Sequence, residues 1–134
     1  MNKIVEYLNE NKVIQFSTIK DGEVHMRPFT FIMEKEGKLL FYTDNTKDVF
    51  KELKANPTAG FSVMGQDMQW VRARGKVQFS DSPELKEEVF KAYPLLEKMY
   101  QSSDNPIFEI FCIYDGVASL HNYTGTVIEE MEIK

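Results

Sequence analysis

The sequence predicts a mainly β protein, a closed or partly closed antiparallel barrel of six or seven strands with peripheral helices. Three observations carry this. Apolar, β-branched and aromatic runs are separated by short turn signals, as at Asp21-Gly22 and Gly37, which joins strands as hairpins rather than through βαβ crossovers. The stretch MQWVRARGKVQF alternates, with Val71, Ala73, Gly75 and Val77 on one face and Trp70, Arg72, Arg74 and Lys76 on the other. Ten Phe and six Tyr among 134 residues fit a strand-rich core, and equally a flat ligand pocket or a large interface.

Each element has a local reason. Residues 2–10 form a short helix with Ile4, Val5 and Leu8 as its apolar stripe. VIQFSTIK and EVHMRPFTFIM flank Asp21-Gly22, and a second turn at EKEGK leads into LLFYT, which makes a three-strand meander. TKDVFKELKANP is a helix capped by Thr46 or Asn45, with Lys47 in its first turn, Val49, Phe50 and Leu53 buried, and Asn56-Pro57 ending it. TAGFSVM, a turn at GQD, and MQWVRARGKVQF supply two more strands. DSPELKEEVFKAY opens a helix with Ser82 as N-cap and Pro83 at its first position, and Leu85, Val89 and Ala92 as the buried stripe. After Pro94, LLEKMYQS adds a helical piece. PIFEIFCIYDGVASLHNY is one long strand, or two meeting near Asp115-Gly116, and TVIEEMEIK is a last strand or a frayed end. Residues 1–134 make one domain without repeats or linkers.

Totals bound the function. A net charge of -5 disfavours a general nucleic-acid binder. No apolar run approaches the roughly 18 residues that a membrane span needs. His25 and His121 are far apart and no Cys/His cluster exists, so a zinc-type site has little support. The single Cys112 lies in the apolar run IFEIFCIY, which reads as a buried core thiol. With no leader segment in view, it points to a reducing cytoplasm.

Four segments can carry chemistry. In HMRPFTFIM, Pro28 cannot donate to a strand ladder, so part of this strand has backbone groups that must bond elsewhere. Alternation puts Arg27, Phe29 and Phe31 on one face, either beside an anionic aromatic ligand or at a solvated rim. At Thr46-Lys47, a cation occupies a helix start that favours anions. A bound phosphate accounts for it, and so does local neutralisation by Asp44 or Asp48. In QWVRARG, Arg72 and Arg74 share a face with Trp70, which is otherwise an ordinary solvated strand face. LHNYTG either covers a neighbouring subunit or frays.

Taken in order, RPFTF, LLFYTDNTKDVFKELKANPTAGFSV and QWVRARGKVQF resemble the pyridoxamine 5'-phosphate oxidase-like family of FMN-binding split β-barrels. The short single-domain members related to nitroimidazole-resistance proteins are most similar, and the resemblance spans roughly residues 4–123. It implies a homodimer with FMN at the subunit interface. It implies further that Arg27, Pro28, Phe29, Thr30 and Phe31 line the flavin and its ribityl phosphate arm. Tyr42 and Thr43 match a strand-end pair near that arm, and Thr46 and Lys47 match a Ser/Arg phosphate position. Trp70 falls where the oxidases carry a Gln against the isoalloxazine.

The departures are Asp48 and Ile32, where the oxidases are basic, and a C-terminus without the Trp and Arg segment that binds substrate phosphate. The expectation is therefore an FMN-dependent oxidoreductase acting on a small molecule other than pyridoxamine phosphate. A non-catalytic binder of flavin, haem or deazaflavin is the alternative. No acid/base residue is evident, and His25 is the only candidate near the Arg27 strand.

Overall fold

Asp21 and Gly22 both take positive φ, 52° and 77°, as a two-residue hairpin turn of the twist-matching kind requires. They join β1 (Val13–Lys20) to β2 (Glu23–Lys35), and Glu36 and Gly37, at 53° and 82°, join β2 to β3 (Lys38–Asp44) in the same way. These features belong to a computed structural model that describes residues 2–134. The other elements are α1 (Lys3–Glu10), α2 (Asp48–Ala55), β4 (Thr58–Met64), β5 (Trp70–Ser80), α3 (Pro83–Ala92), α4 (Leu95–Tyr100), β6 (Phe108–His121) and β7 (Val127–Ile133).

The strands run β3-β2-β1-β4-β5-β6-β7, all neighbours antiparallel, and β3 also pairs with β6. Among the described residues this makes a closed six-strand barrel with one extra strand. The segment PIFEIFCIYDGVASLHNY thus holds one continuous strand, and the acidic C-terminal stretch is a paired strand, not a frayed end. β6 keeps β5 on one side along most of its length. On the other side it serves β3 with residues 108–113 and β7 with residues 116–121. The handover is a bulge at Asp115, at φ 47°, and Gly116. A Cβ on Gly116 would lie 2.0 Å from the Arg74 carbonyl oxygen, so the close crossing needs glycine.

The barrel interior is packed with rings. Phe41 lies 5.6–5.9 Å from Phe16, Phe31, Phe61 and Phe111 by ring centroid, in edge-on or stacked contacts. A second core lies outside the barrel. Ile32, Leu40 and Ile110 on the outer face of β2, β3 and β6 meet Val89 of α3 and Leu96 and Tyr100 of α4. Only Val89 of the expected α3 stripe is buried. Leu85 is half-buried and Ala92 is exposed, because one turn of this short helix meets the sheet. Cys112 belongs to this outer layer, half-buried rather than in the barrel core, and burial raises its thiol pKa.

Local capping follows the sequence at two helices. Asn2 Oδ1 accepts from the Ile4 N–H at 2.7 Å, which starts α1 one residue later than the apolar stripe implied. Ser82 Oγ accepts from the Leu85 N–H at 3.2 Å, with Pro83 at the first helical position. Tyr7 of α1 then fixes the β4–β5 turn. Its hydroxyl accepts from the Gly65 N–H at 2.8 Å and lies 2.7 Å from Asp67, and burial and that carboxylate push its pKa up to about 12. Among the described residues no helix is long and apolar enough to cross a membrane.

Candidate functional site

β2 pairs with β1 along residues 23–30 but with β3 only from Phe31 onward. Its first half therefore has an open edge, and this is where the barrel splits. The Phe31 N–H donates to the Lys12 carbonyl at 2.8 Å. By antiparallel alternation the backbone groups of Phe29 and Arg27 also turn toward β1, while those of Pro28 and Thr30 turn toward the open edge. The N–H that Pro28 lacks would have pointed into that edge, so the proline costs no ladder bond.

Phe29 and Phe31 are buried in the barrel, and Arg27 points to the same side at the barrel's end. There α2 lies across β1 and presents Val49, Glu52 and Leu53 inward. The Arg27 Nη2 donates to Glu52 Oε1 at 2.9 Å and to Thr18 Oγ1 at 2.9 Å, and Nη1 donates to the Phe16 carbonyl at 3.3 Å. Glu52 is buried and also accepts from Thr18 Oγ1 at 2.5 Å, while His25 Nδ1 lies 3.9 Å from its other oxygen. The Thr18 hydroxyl, then the Arg27 charge and His25, hold the Glu52 carboxyl below its usual range against the opposing effect of burial.

The start of α2 differs from the expected one. Lys47 is the N-cap residue, not part of the first turn, and its side chain makes no capping bond. Thr46 does not cap because Asp44 Oδ1 accepts from both its N–H, at 3.0 Å, and its hydroxyl. Asn45 does not cap because its amide donates to the Pro106 carbonyl at 2.9 Å and to Glu109 at 2.8 Å. Asp44 Oδ2 also accepts from the Tyr100 hydroxyl at 3.2 Å. Burial acts to raise the Asp44 carboxyl, but the bonds from Thr46 and Tyr100 and the nearby Lys47 charge hold it below its usual value. The first turn of α2 is thus left without a side-chain cap, which suits an anion.

Tyr42 and Thr43 point to opposite sides of β3. Tyr42 packs outside with Tyr93 and Tyr100, its pKa raised by burial. Thr43 points inward, 1% exposed, and its hydroxyl is the one buried side-chain polar atom without a hydrogen-bond partner among the described residues. Trp70 lies on the outer face of β5, three strands from β2 through β1 and β4, or roughly 14 Å at ordinary strand spacing.

The structure therefore brings Arg27 and residues 28–31 near α2 and places Thr43, Thr46 and Lys47 at its start, while Tyr42 and Trp70 stand apart. The open edge, the uncapped helix start and the orphaned Thr43 hydroxyl fit a planar group with a polar arm. Glu52 and Thr18 did not stand out in the sequence. The available signal was a carboxylate at the helical spacing of Val49 and Leu53, on a stripe that should be apolar. Clefts lie elsewhere: one of about 440 Å³ under α3 over Cys112, one of about 460 Å³ along β5, β6 and β7 past Arg72 and Glu130, and one of about 560 Å³ by Lys76, Asp115 and Glu132. None of these borders Arg27 or Lys47.

Residues 1–113 match the family described as Pyridoxamine 5'-phosphate oxidase. General stress protein 26 of Bacillus subtilis is 28% identical over 110 residues, covering 78% of this chain and 75% of that protein. The crystal structure of a NimC/NimA family protein from Clostridium acetobutylicum superimposes with a TM-score of 0.88 at 33% identity, covering 96% of this chain and 89% of that one. A heme binding protein from Mycobacterium smegmatis shares the fold, with a TM-score of 0.74 at 13% identity over 92% of this chain and 54% of that one.

Proposed function

The chain belongs to the pyridoxamine 5'-phosphate oxidase family, and from that premise we propose that it is an FMN-binding oxidoreductase acting on a small molecule other than pyridoxamine phosphate. The observation that carries this reading is the open edge of β2 at Pro28 and Thr30, together with the uncapped start of α2 at Lys47. The edge offers backbone groups to the ring system, and Lys47 with the first N–H groups of α2 takes the phosphate. Thr43 offers its unpartnered hydroxyl to the arm. Bound flavin supplies the electron transfer, and the protein supplies orientation and electrostatics.

The working form is a homodimer in the cytoplasm. Val24, Met26, Val13 and Met64, exposed by 66%, 62%, 61% and 57%, share the outer face of β2, β1 and β4. Val24 and Met26 lie toward one end of β1 and Val13 and Met64 toward the other. A second copy laid on this face covers the split edge and brings its own Trp70 toward the flavin.

Titrating purified protein with FMN tests this. The expected result is a shifted, structured flavin absorbance and quenched flavin fluorescence that saturate at one FMN per chain. No spectral change at micromolar protein overturns it. A second reading, a haem binder, is raised by the fold shared with the heme binding protein from Mycobacterium smegmatis. Hemin titrated in parallel separates the two, since a Soret shift with no flavin response selects haem.

A further inference from the structure

Carboxylates offset the cations near the proposed phosphate position, Arg27 and Lys47, although among the described residues only Arg27 of the two makes an ion pair. Arg27 is paired to buried Glu52 at 2.9 Å, and Lys47 stands by Asp44, whose carboxyl already organises Thr46. With Asp48 in the first turn of α2, the charges of Arg27, Lys47, Glu52, Asp44 and Asp48 sum to -1. FMN brings about -1.5 to -2 at neutral pH through its phosphate, while riboflavin carries the same ring and ribityl chain with none. Glu52 lies five residues beyond the N-cap Lys47, about 7.5 Å along the helix axis. At that range a unit charge acts appreciably on a phosphate at the helix start.

We infer that Glu52 is a specificity-determining residue, which by holding Arg27 in an ion pair sets how strongly the site prefers a phosphorylated flavin over an unphosphorylated one. This rests on the flavin reading above. Glu52 is buried behind Arg27 and acts through it, so it is a positioning residue. Its carboxylate fixes the guanidinium at the barrel end through three coupled bonds among Glu52, Thr18 and Arg27. Removing the carboxylate charge leaves Arg27 as an uncompensated cation and makes the site selective for the dianion.

The experiment titrates FMN and riboflavin, at pH 8, into the wild type, Glu52→Gln, and the double variant Arg27→Met with Glu52→Gln. The reading is the ratio of the two affinities, in which any loss common to both ligands cancels. The expected ratio of FMN to riboflavin affinity rises on the order of tenfold in Glu52→Gln and falls back to the wild-type value in the double variant. A Glu52→Gln ratio within twofold of wild type, with both flavins bound, overturns the inference and leaves the flavin site standing. Failure of both flavins to bind wild type overturns the flavin reading and this inference with it.

Salt dependence of the wild type tests the same claim without a variant. A site without net positive charge loses no more than about threefold in FMN affinity between 50 and 500 mM KCl. A steep fall marks a net positive site and overturns the inference.

Discussion

Trp70 and His121 stack face to face, with ring centroids 3.9 Å apart and planes 5° from parallel. They are cross-strand partners on β5 and β6. The His121 ring is held at both nitrogens, Nδ1 3.2 Å from the Gly125 carbonyl and Nε2 2.8 Å from Ser119 Oγ. The carbonyl can only accept, so Nδ1 carries a proton. One face of the indole is thereby covered and fixed. Trp70 is the only tryptophan in the chain, which makes it a clean optical probe. We expect FMN to quench most of its emission in parallel with the flavin spectral change. A flavin shift with unaltered tryptophan emission places Trp70 outside the site.

Lys47→Glu is expected to weaken FMN binding at least tenfold, because it sets a like charge against the phosphate. Lys47 is exposed and makes no cap bond, and a glutamate at a helix start is favourable by about 0.3–1 kcal/mol. The thermal midpoint of the unliganded variant should hold or rise. Unchanged FMN affinity would remove the start of α2 from the site.

Thr43→Val replaces the unpartnered buried hydroxyl with a methyl of the same shape. An unsatisfied buried hydroxyl costs about 1–3 kcal/mol, so the unliganded variant should melt higher. If Thr43 serves the ribityl arm, added FMN should then raise the melting temperature of the variant less than that of the wild type. Equal FMN stabilisation in both proteins would free Thr43 of that role, and a lower unliganded midpoint would mean that the hydroxyl is satisfied.

Acid should destabilise the fold through Glu52 and Asp44, whose carboxyls are both held below their ordinary values. As pH falls, the unfolded chain takes up these protons first. The stabilisation is therefore whole above about pH 4.5, the ordinary value for Glu, and is lost as pH drops through the lower folded-state values. Urea midpoints should fall on the acid side of that pH, and less steeply in Glu52→Gln, which has no proton to gain there. An identical acid slope in the variant would show that the Arg27–Glu52 pair contributes nothing to acid sensitivity.

Much of this protein is written in local sequence. Asp21-Gly22 and Gly37 place the hairpins because few residues accept positive φ. Strict alternation in QWVRARG sorts Val71 and Ala73 inward and the arginines outward, and Ser82-Pro83 starts α3. The ordered set RPFTF, LLFYTDNTK and QWVRARG is enough to recognise the family. These features depend on a residue and its near neighbours alone.

Barrel closure decided the rest. Thr46 and Asn45 are good caps by type, yet a carboxylate at Asp44 and a strand partner at Glu109, 64 residues from Asn45, take their hydrogen-bonding groups. Arg27 reads as a free cation in HMRPFTF until α2 brings Glu52, 25 residues on, within 2.9 Å. Tyr42 and Thr43 are adjacent in sequence and part to opposite layers, since a strand alternates and both sides of β3 are covered. Charge compensation and capping are settled by whichever partner arrives closest in space, and that follows only from the packed fold.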